Sequence, residues 1–187
     1  MPRRLCYDKA TEIDPKGASG WDHKGFALYN LGKYEDAIIC YDKAIEIDPK
    51  DVDALVHKGL ALYNLGKYGD AIKYYDKALE INPDNPNVCN AKAWTFANMG
   101  RNKEALQLVE KSVELDPNNA NILDTQGFIL YNLGRYDDAI KSLDRSLEIE
   151  PNNVEALAHK VKALDKLGRV EEAQECLNKA RHFGLDE

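Results

Sequence analysis

Apolar residues return along this chain at the three- and four-residue steps that make one face of a helix. Between Asp51 and Pro83 such residues stand at Leu55 and Leu62, then at Ala71, Tyr75 and Ala78. Between the two groups lies a break at Gly66. The pattern predicts a first helix from Asp51, which can cap it, to about Asn64. Gly66 supplies the left-handed conformation that ends that helix. A second helix follows, with Asp70 in its first turn where a negative charge suits the dipole, and Pro83 stops it.

The same text recurs. Prolines stand 34 residues apart at Pro15, Pro49, Pro83, Pro117 and Pro151. Glycines keep that step at Gly32, Gly66, Gly100, Gly134 and Gly168, and alanines at Ala37, Ala71, Ala105, Ala139 and Ala173. One hairpin cannot bury the apolar faces of both its helices, so neighbours must stack into a solenoid.

The spacing Trp21, Gly25, Leu28, Gly32, Tyr34, Ala37, Tyr41, Ala44, Pro49 resembles the tetratricopeptide repeat. Leu55, Gly59, Leu62, Gly66, Tyr68, Ala71, Tyr75, Ala78 and Pro83 repeat it. The resemblance runs the length of the chain. It implies an all-α, right-handed superhelical solenoid of helix-turn-helix repeats, over residues 18–51, 52–85, 86–119, 120–153 and 154–187. Residues 1–17 then form a half repeat, a lone second helix near residues 4–13. Two readings of that half remain open: a longer array cut short, or a self-association end at which Tyr7 and Ala10 await a helix from another copy. Departures from the pattern are local. Ala93 and Val161 replace Gly25, Gly59 and Gly127, and Ser112 and Ser146 replace Ala44. Val161 is expected to push its two helices slightly apart. In the last unit Gln174 and Arg181 take the places of Ile38 and Ile45, the polar outer face a solenoid's final repeat requires, so Glu187 is read as near the end of the array.

The seventh place of each repeat, usually apolar in this family, reads Lys24, Lys58, Lys92, Gln126 and Lys160. Each preceding second helix offers two acids one turn apart, such as Asp42/Glu46, Asp76/Glu80 and Asp144/Glu148. These predict ion pairs between neighbouring repeats, closing to within about 4 Å. The alternative is charges solvated on a helix face.

First helices line the concave groove in this family, which implies a partner-binding face. The first unit brings to it Asp22, His23, Phe26, Tyr29 and Asn30; the second brings Asp53, His57, Leu60, Tyr63 and Asn64. The third adds Asn90, Trp94 and Asn98, and the fourth Asp124, Phe128, Tyr131 and Asn132. The stripe Phe26, Leu60, Trp94, Phe128 offers the apolar anchors that peptide recognition uses. Equally, ninth-place side chains can tuck between first helices as core. The Asn column Asn30, Asn64, Asn98, Asn132 can clamp a peptide backbone or serve its own helix end. The Lys/Asn/Lys/Arg clamp by which some relatives hold a C-terminal carboxylate is missing, since Asp22, Phe26, His57, Asn87 and Ala91 occupy its places.

Composition narrows the function further. A net charge of −7 argues against a nucleic-acid backbone as partner. Cys6, Cys40, Cys89 and Cys176 stand far apart, which points to free thiols in a reducing cytoplasm. No apolar run suits a membrane span or a secretory signal. His23, His57 and His159 share one place in their repeats, and even adjacent repeats set that place too far apart for one metal ion; no nucleophile stands with a base. The expectation is a cytoplasmic, non-catalytic scaffold without cofactor or metal, binding a protein segment with apolar anchors and neutral or basic flanks.

Overall fold

The computed structural model describes residues 17–184, over which the chain is all α-helix and turn. Ten helices follow one another among these residues. The first helices of successive hairpins are α1 (Ala18–Tyr29), α3 (Val52–Asn64), α5 (Pro86–Asn98), α7 (Ala120–Asn132) and α9 (Val154–Lys166). The second helices are α2 (Tyr34–Ile47), α4 (Tyr68–Ile81), α6 (Asn102–Leu115), α8 (Tyr136–Ile149) and α10 (Val170–His182).

The punctuation works as its chemistry dictates. Asp51, Asn119 and Asn153 each accept a hydrogen bond from the backbone N–H three residues on, at 3.0, 3.3 and 3.0 Å. Each thereby satisfies a donor that the helix start leaves open. Gly17 holds the same place before α1 and brings no side chain. At the other end the five periodic glycines take φ between 71 and 77°. That turn lets the next N–H reach back to the carbonyl five residues earlier, as Lys67 does to Leu62 at 2.9 Å.

By packing, the chain divides into two compact units, Met1–Ala91 and Lys92–Glu187, the division falling inside α5. In the first unit Leu28, Ala37, Cys40 and Tyr41 form one core cluster with Ala61, and Leu55, Leu62, Ala71, Tyr75 and Ala78 form another with Val88. In the second, Leu130, Ala139, Ile140 and Leu157 pack with Leu164, Ala173, Cys176 and Ala180. The periodic alanine exists because nothing larger fits: Ala37, Ala71, Ala105 and Ala139 are fully buried.

Helices within a hairpin approach closely at the eighth place of the repeat. A Cβ on Gly25 would lie 2.5 Å from the Tyr41 ring, and one on Gly127 2.5 Å from Leu143. Where Ala93 replaces glycine, the facing residue sixteen positions on shrinks to Val109, and both are fully buried. Val161 faces the Leu177 position and packs, half-buried, against the core of the second unit. The serines that depart from the alanine pattern are also accounted for in part: Ser146, fully buried, donates its hydroxyl hydrogen to the Ala120 carbonyl at 2.8 Å. Gln174 and Arg181 are exposed, whereas Ile38, Ile45, Ile140 and Leu147 in the equivalent places are buried or half-buried. The expected helix near residues 4–13 lies outside the described residues.

Candidate functional site

The face built by the first helices holds an arrangement that appears once in each unit. In the first unit, α1 carries Asp22 and, one turn on, Phe26. His57 reaches back from α3, its Nδ1 2.8 Å from Asp22 Oδ1. The imidazole lies between two rings, 5.2 Å from the Phe26 centroid and 5.7 Å from that of Tyr41. Asp22 is 7% exposed, while Phe26 remains 45% exposed. Burial alone would lower the His57 pKa, but the bond to Asp22 and the charges of Asp22, Asp53 and Asp51 outweigh it and hold it above 6.5. Burial, reinforced by the Asp22 charge, pushes the Tyr41 hydroxyl well above its ordinary value, and among the described residues that hydroxyl has no hydrogen-bond partner.

The second unit repeats this. His159 Nδ1 on α9 lies 2.8 Å from Asp124 Oδ1 on α7, and Asp124 is 6% exposed. Phe128 covers the imidazole at 5.0 Å between centroids, and Trp94 joins at 4.7 Å from Phe128 and 6.4 Å from His159. Both Trp94 and Phe128 are half-buried, so each ring packs against its neighbours and keeps part of its surface open to solvent.

Asp22 and His23 are sequence neighbours on α1, so their side chains point apart. His23 in fact turns to the Ser19 carbonyl, 2.7 Å from its Nδ1. The pairing that forms joins an acid at the fifth place of one repeat to a histidine at the sixth place of the next, 35 residues on. That interval was visible twice in the sequence, at 22/57 and at 124/159. It is missing at Val56 and Ala91, where neither side chain can ionise.

Other residues assigned to this face take plainer parts. The Asn64 amide donates to the Leu60 carbonyl at 2.9 Å and to the Tyr29 hydroxyl at 2.8 Å; the Asn98 amide donates to the Trp94 carbonyl at 2.8 Å. Two of the four asparagines thus serve their own helix ends. Tyr29, Tyr63 and Tyr131 each pack on the tyrosine that opens the following helix, Tyr34, Tyr68 and Tyr136, at 5.3 to 5.6 Å. Leu60 packs half-buried against the first unit's core and Asn90 is half-buried, while Asn30, Asp53 and Asn132 are exposed. Tyr7 and Ala10 lie outside the described residues.

The seventh-place lysines pair as their neighbours allow. Lys58, only 7% exposed, binds Asp42 of the preceding helix and donates to the Tyr74 hydroxyl at 2.6 Å. Burial lowers its pKa, yet these two bonds raise it further, and the net shift is upward. Lys160 meets Asp144 at 2.5 Å. Gln126 turns to its own hairpin and accepts from Ser142 at 2.9 Å. Lys24 sits 5.5 Å from the Trp21 ring and Lys92 5.7 Å from that of Phe96. Among the described residues, no group of three or more His, Cys, Asp or Glu is placed to hold a metal ion. Nor is any described helix long and apolar enough to cross a membrane.

No curated protein matches the chain significantly. Solved structures do. YrrB, a TPR protein with an unusual peptide-binding site, is 24% identical, covers 97% of this chain over 93% of its own, and superposes with a TM-score of 0.68. MamA 41-end from Desulfovibrio magneticus RS-1 is 20% identical, with 91% and 97% covered and a TM-score of 0.75. MamA AMB-1 is 28% identical, with 87% and 96% covered and a TM-score of 0.70. A tetratricopeptide repeat profile matches residues 24–86, and the profile of the Psidin N-terminal TPR repeats region matches residues 61–180. With the second profile alone spanning well over half its length, this chain belongs to the tetratricopeptide repeat family.

Proposed function

We propose that the chain is a non-catalytic scaffold that holds a segment of another protein against the first helices of its repeats. The observation that carries this is the pair of aromatic clusters on those helices. Phe26 stays 45% exposed beside the Asp22–His57 pair, and Trp94 and Phe128 make tilted ring contacts with each other and with His159 of the Asp124–His159 pair. Rings held in place by their neighbours yet open on one side lose little freedom on binding, which is why such residues anchor interfaces. That YrrB has a peptide-binding site accords with this reading, though at 24% identity its likeness is one of fold.

The partner segment would bring apolar side chains with neutral or basic flanks. The preference for basic flanks is modest, because Asp22 and Asp124 are buried against histidines and leave Asp53 as the exposed carboxylate of the three. Buried free thiols at Cys40, Cys89 and Cys176 fit a reducing compartment, so a cytoplasmic location is part of the proposal. Selection of peptides from a random display library on the full chain tests it. Enriched sequences should carry apolar or aromatic anchors, and versions with Lys flanks should bind at least as tightly as versions with Glu flanks. Enrichment of acidic peptides, or of none, would overturn the reading.

A further inference from the structure

The repeat supplies its own control experiment at a place away from the aromatic clusters. In the first unit, half-buried Tyr74 of α4 stands at the cleft between α2, α3 and α4, where Lys58 of α3 binds both it and Asp42 of α2. Lys58 donates to its hydroxyl at 2.6 Å and stands 4.1 Å from its ring centroid, while Lys77 flanks the ring at 5.1 Å. Three repeats on, the same cleft lies between α8, α9 and α10. Asp144, Glu148, Pro151, Leu157, Lys160 and Lys179 line it where Asp42, Glu46, Pro49, Leu55, Lys58 and Lys77 stand in the first unit. Tyr74, however, is replaced by Cys176, and a cavity of about 500 Å³ opens. Phe183, 45% exposed, forms part of its wall. One repeat earlier the equivalent side chains are engaged otherwise: Ser142 bonds Gln126 at 2.9 Å, and Arg145 reaches the Pro117 carbonyl at 3.0 Å.

We propose that the α8–α9–α10 cleft is a docking pocket for a tyrosine side chain presented by a partner protein. Its chemistry is what the first unit provides for Tyr74. Lys160, already bound to Asp144, keeps ammonium hydrogens for a hydroxyl oxygen, and Lys160 and Lys179 offer cations to the negative face of an aromatic ring. Leu147, Leu157 and Phe183 supply apolar wall. Space is ample, since a cavity of about 150 Å³ already accepts benzene. The lining carries two acids and two lysines, but a phosphate in the hydroxyl's place would share the Lys160 ammonium with Asp144 and meet that carboxylate at close range.

The test uses the full chain and p-cresol, the free equivalent of a tyrosine side chain, followed by amide NMR. p-Cresol should shift signals of Leu147, Leu157 and Cys176 with a Kd on the order of 1 mM, a value fitting for so small a ligand. Toluene and p-tolyl phosphate should bind at least several-fold more weakly. Cys176→Tyr, which rebuilds the first unit's arrangement, should abolish the shifts and raise Tm. Lys160→Met should remove the preference for p-cresol over toluene. Short tyrosine peptides should bind more tightly than p-cresol alone and more tightly than their phenylalanine counterparts; tighter binding of free p-cresol would assign the pocket to small phenols and overturn the partner claim. Absence of shifts at about ten times the expected Kd, equal binding of toluene, or p-cresol binding unchanged by Cys176→Tyr in a folded protein would overturn the pocket itself.

Discussion

At the scale of single residues, the chain shows volume traded across one contact. Gly59 faces Tyr75 as Gly25 faces Tyr41, and any Cβ there meets the ring. Ala93 is tolerated because Val109 stands opposite. Gly59→Ala should therefore destabilise by about 1–3 kcal/mol through overpacking. Adding Tyr75→Val should recover part of that loss, with a favourable coupling above about 0.5 kcal/mol in a urea-denaturation double-mutant cycle. Strict additivity would show that the eighth place does not set the helix approach. His57 makes a second prediction. Its folded pKa is raised, so its partnership stabilises fully below its ordinary 6.5 and is lost as pH rises through the folded value. Asp22→Asn should lower the His57 pKa in an NMR titration, because burial would then prevail. It should also cost more stability near about pH 6 than near about pH 8.5. Equal cost at both values would mean that the pair carries no charge-dependent stability.

Among elements, what could be read in advance follows from how local the cause is. Helix ends were legible, since Asp51 and Gly66 act on backbone within a few residues of themselves. The Lys58–Asp42 and Lys160–Asp144 pairs were legible too, because the period places the seventh place of one repeat over the preceding second helix. Tyr74 as a third member of the Lys58 cluster was not, for nothing in the spacing tells how far a ring will lean. The Asp22–His57 pairing was not legible because its two residues stand on different helices, 35 residues apart. The lysine pairs set register more than stability, as Asp42 has half its side chain in water. Asp42→Asn should cost no more than about 1 kcal/mol by urea denaturation, with Lys58 retaining Tyr74. A cost above about 3 kcal/mol would mark Lys58 as a buried charge dependent on that one carboxylate.

On the scale of the whole molecule, each unit carries one aromatic cluster on its first helices, and the account stands or falls on whether those rings bind. Trp94 is the sharpest probe, since its indole contacts Phe128 and keeps a solvent-facing side. Fluorescence-anisotropy titration of a library-selected peptide against wild type and Trp94→Ala, with circular dichroism to confirm that the helices persist, measures this directly. Loss of a buried aromatic anchor costs about 2 kcal/mol or more, so the variant should bind about thirtyfold more weakly. An unchanged Kd in a folded Trp94→Ala protein would contradict the account.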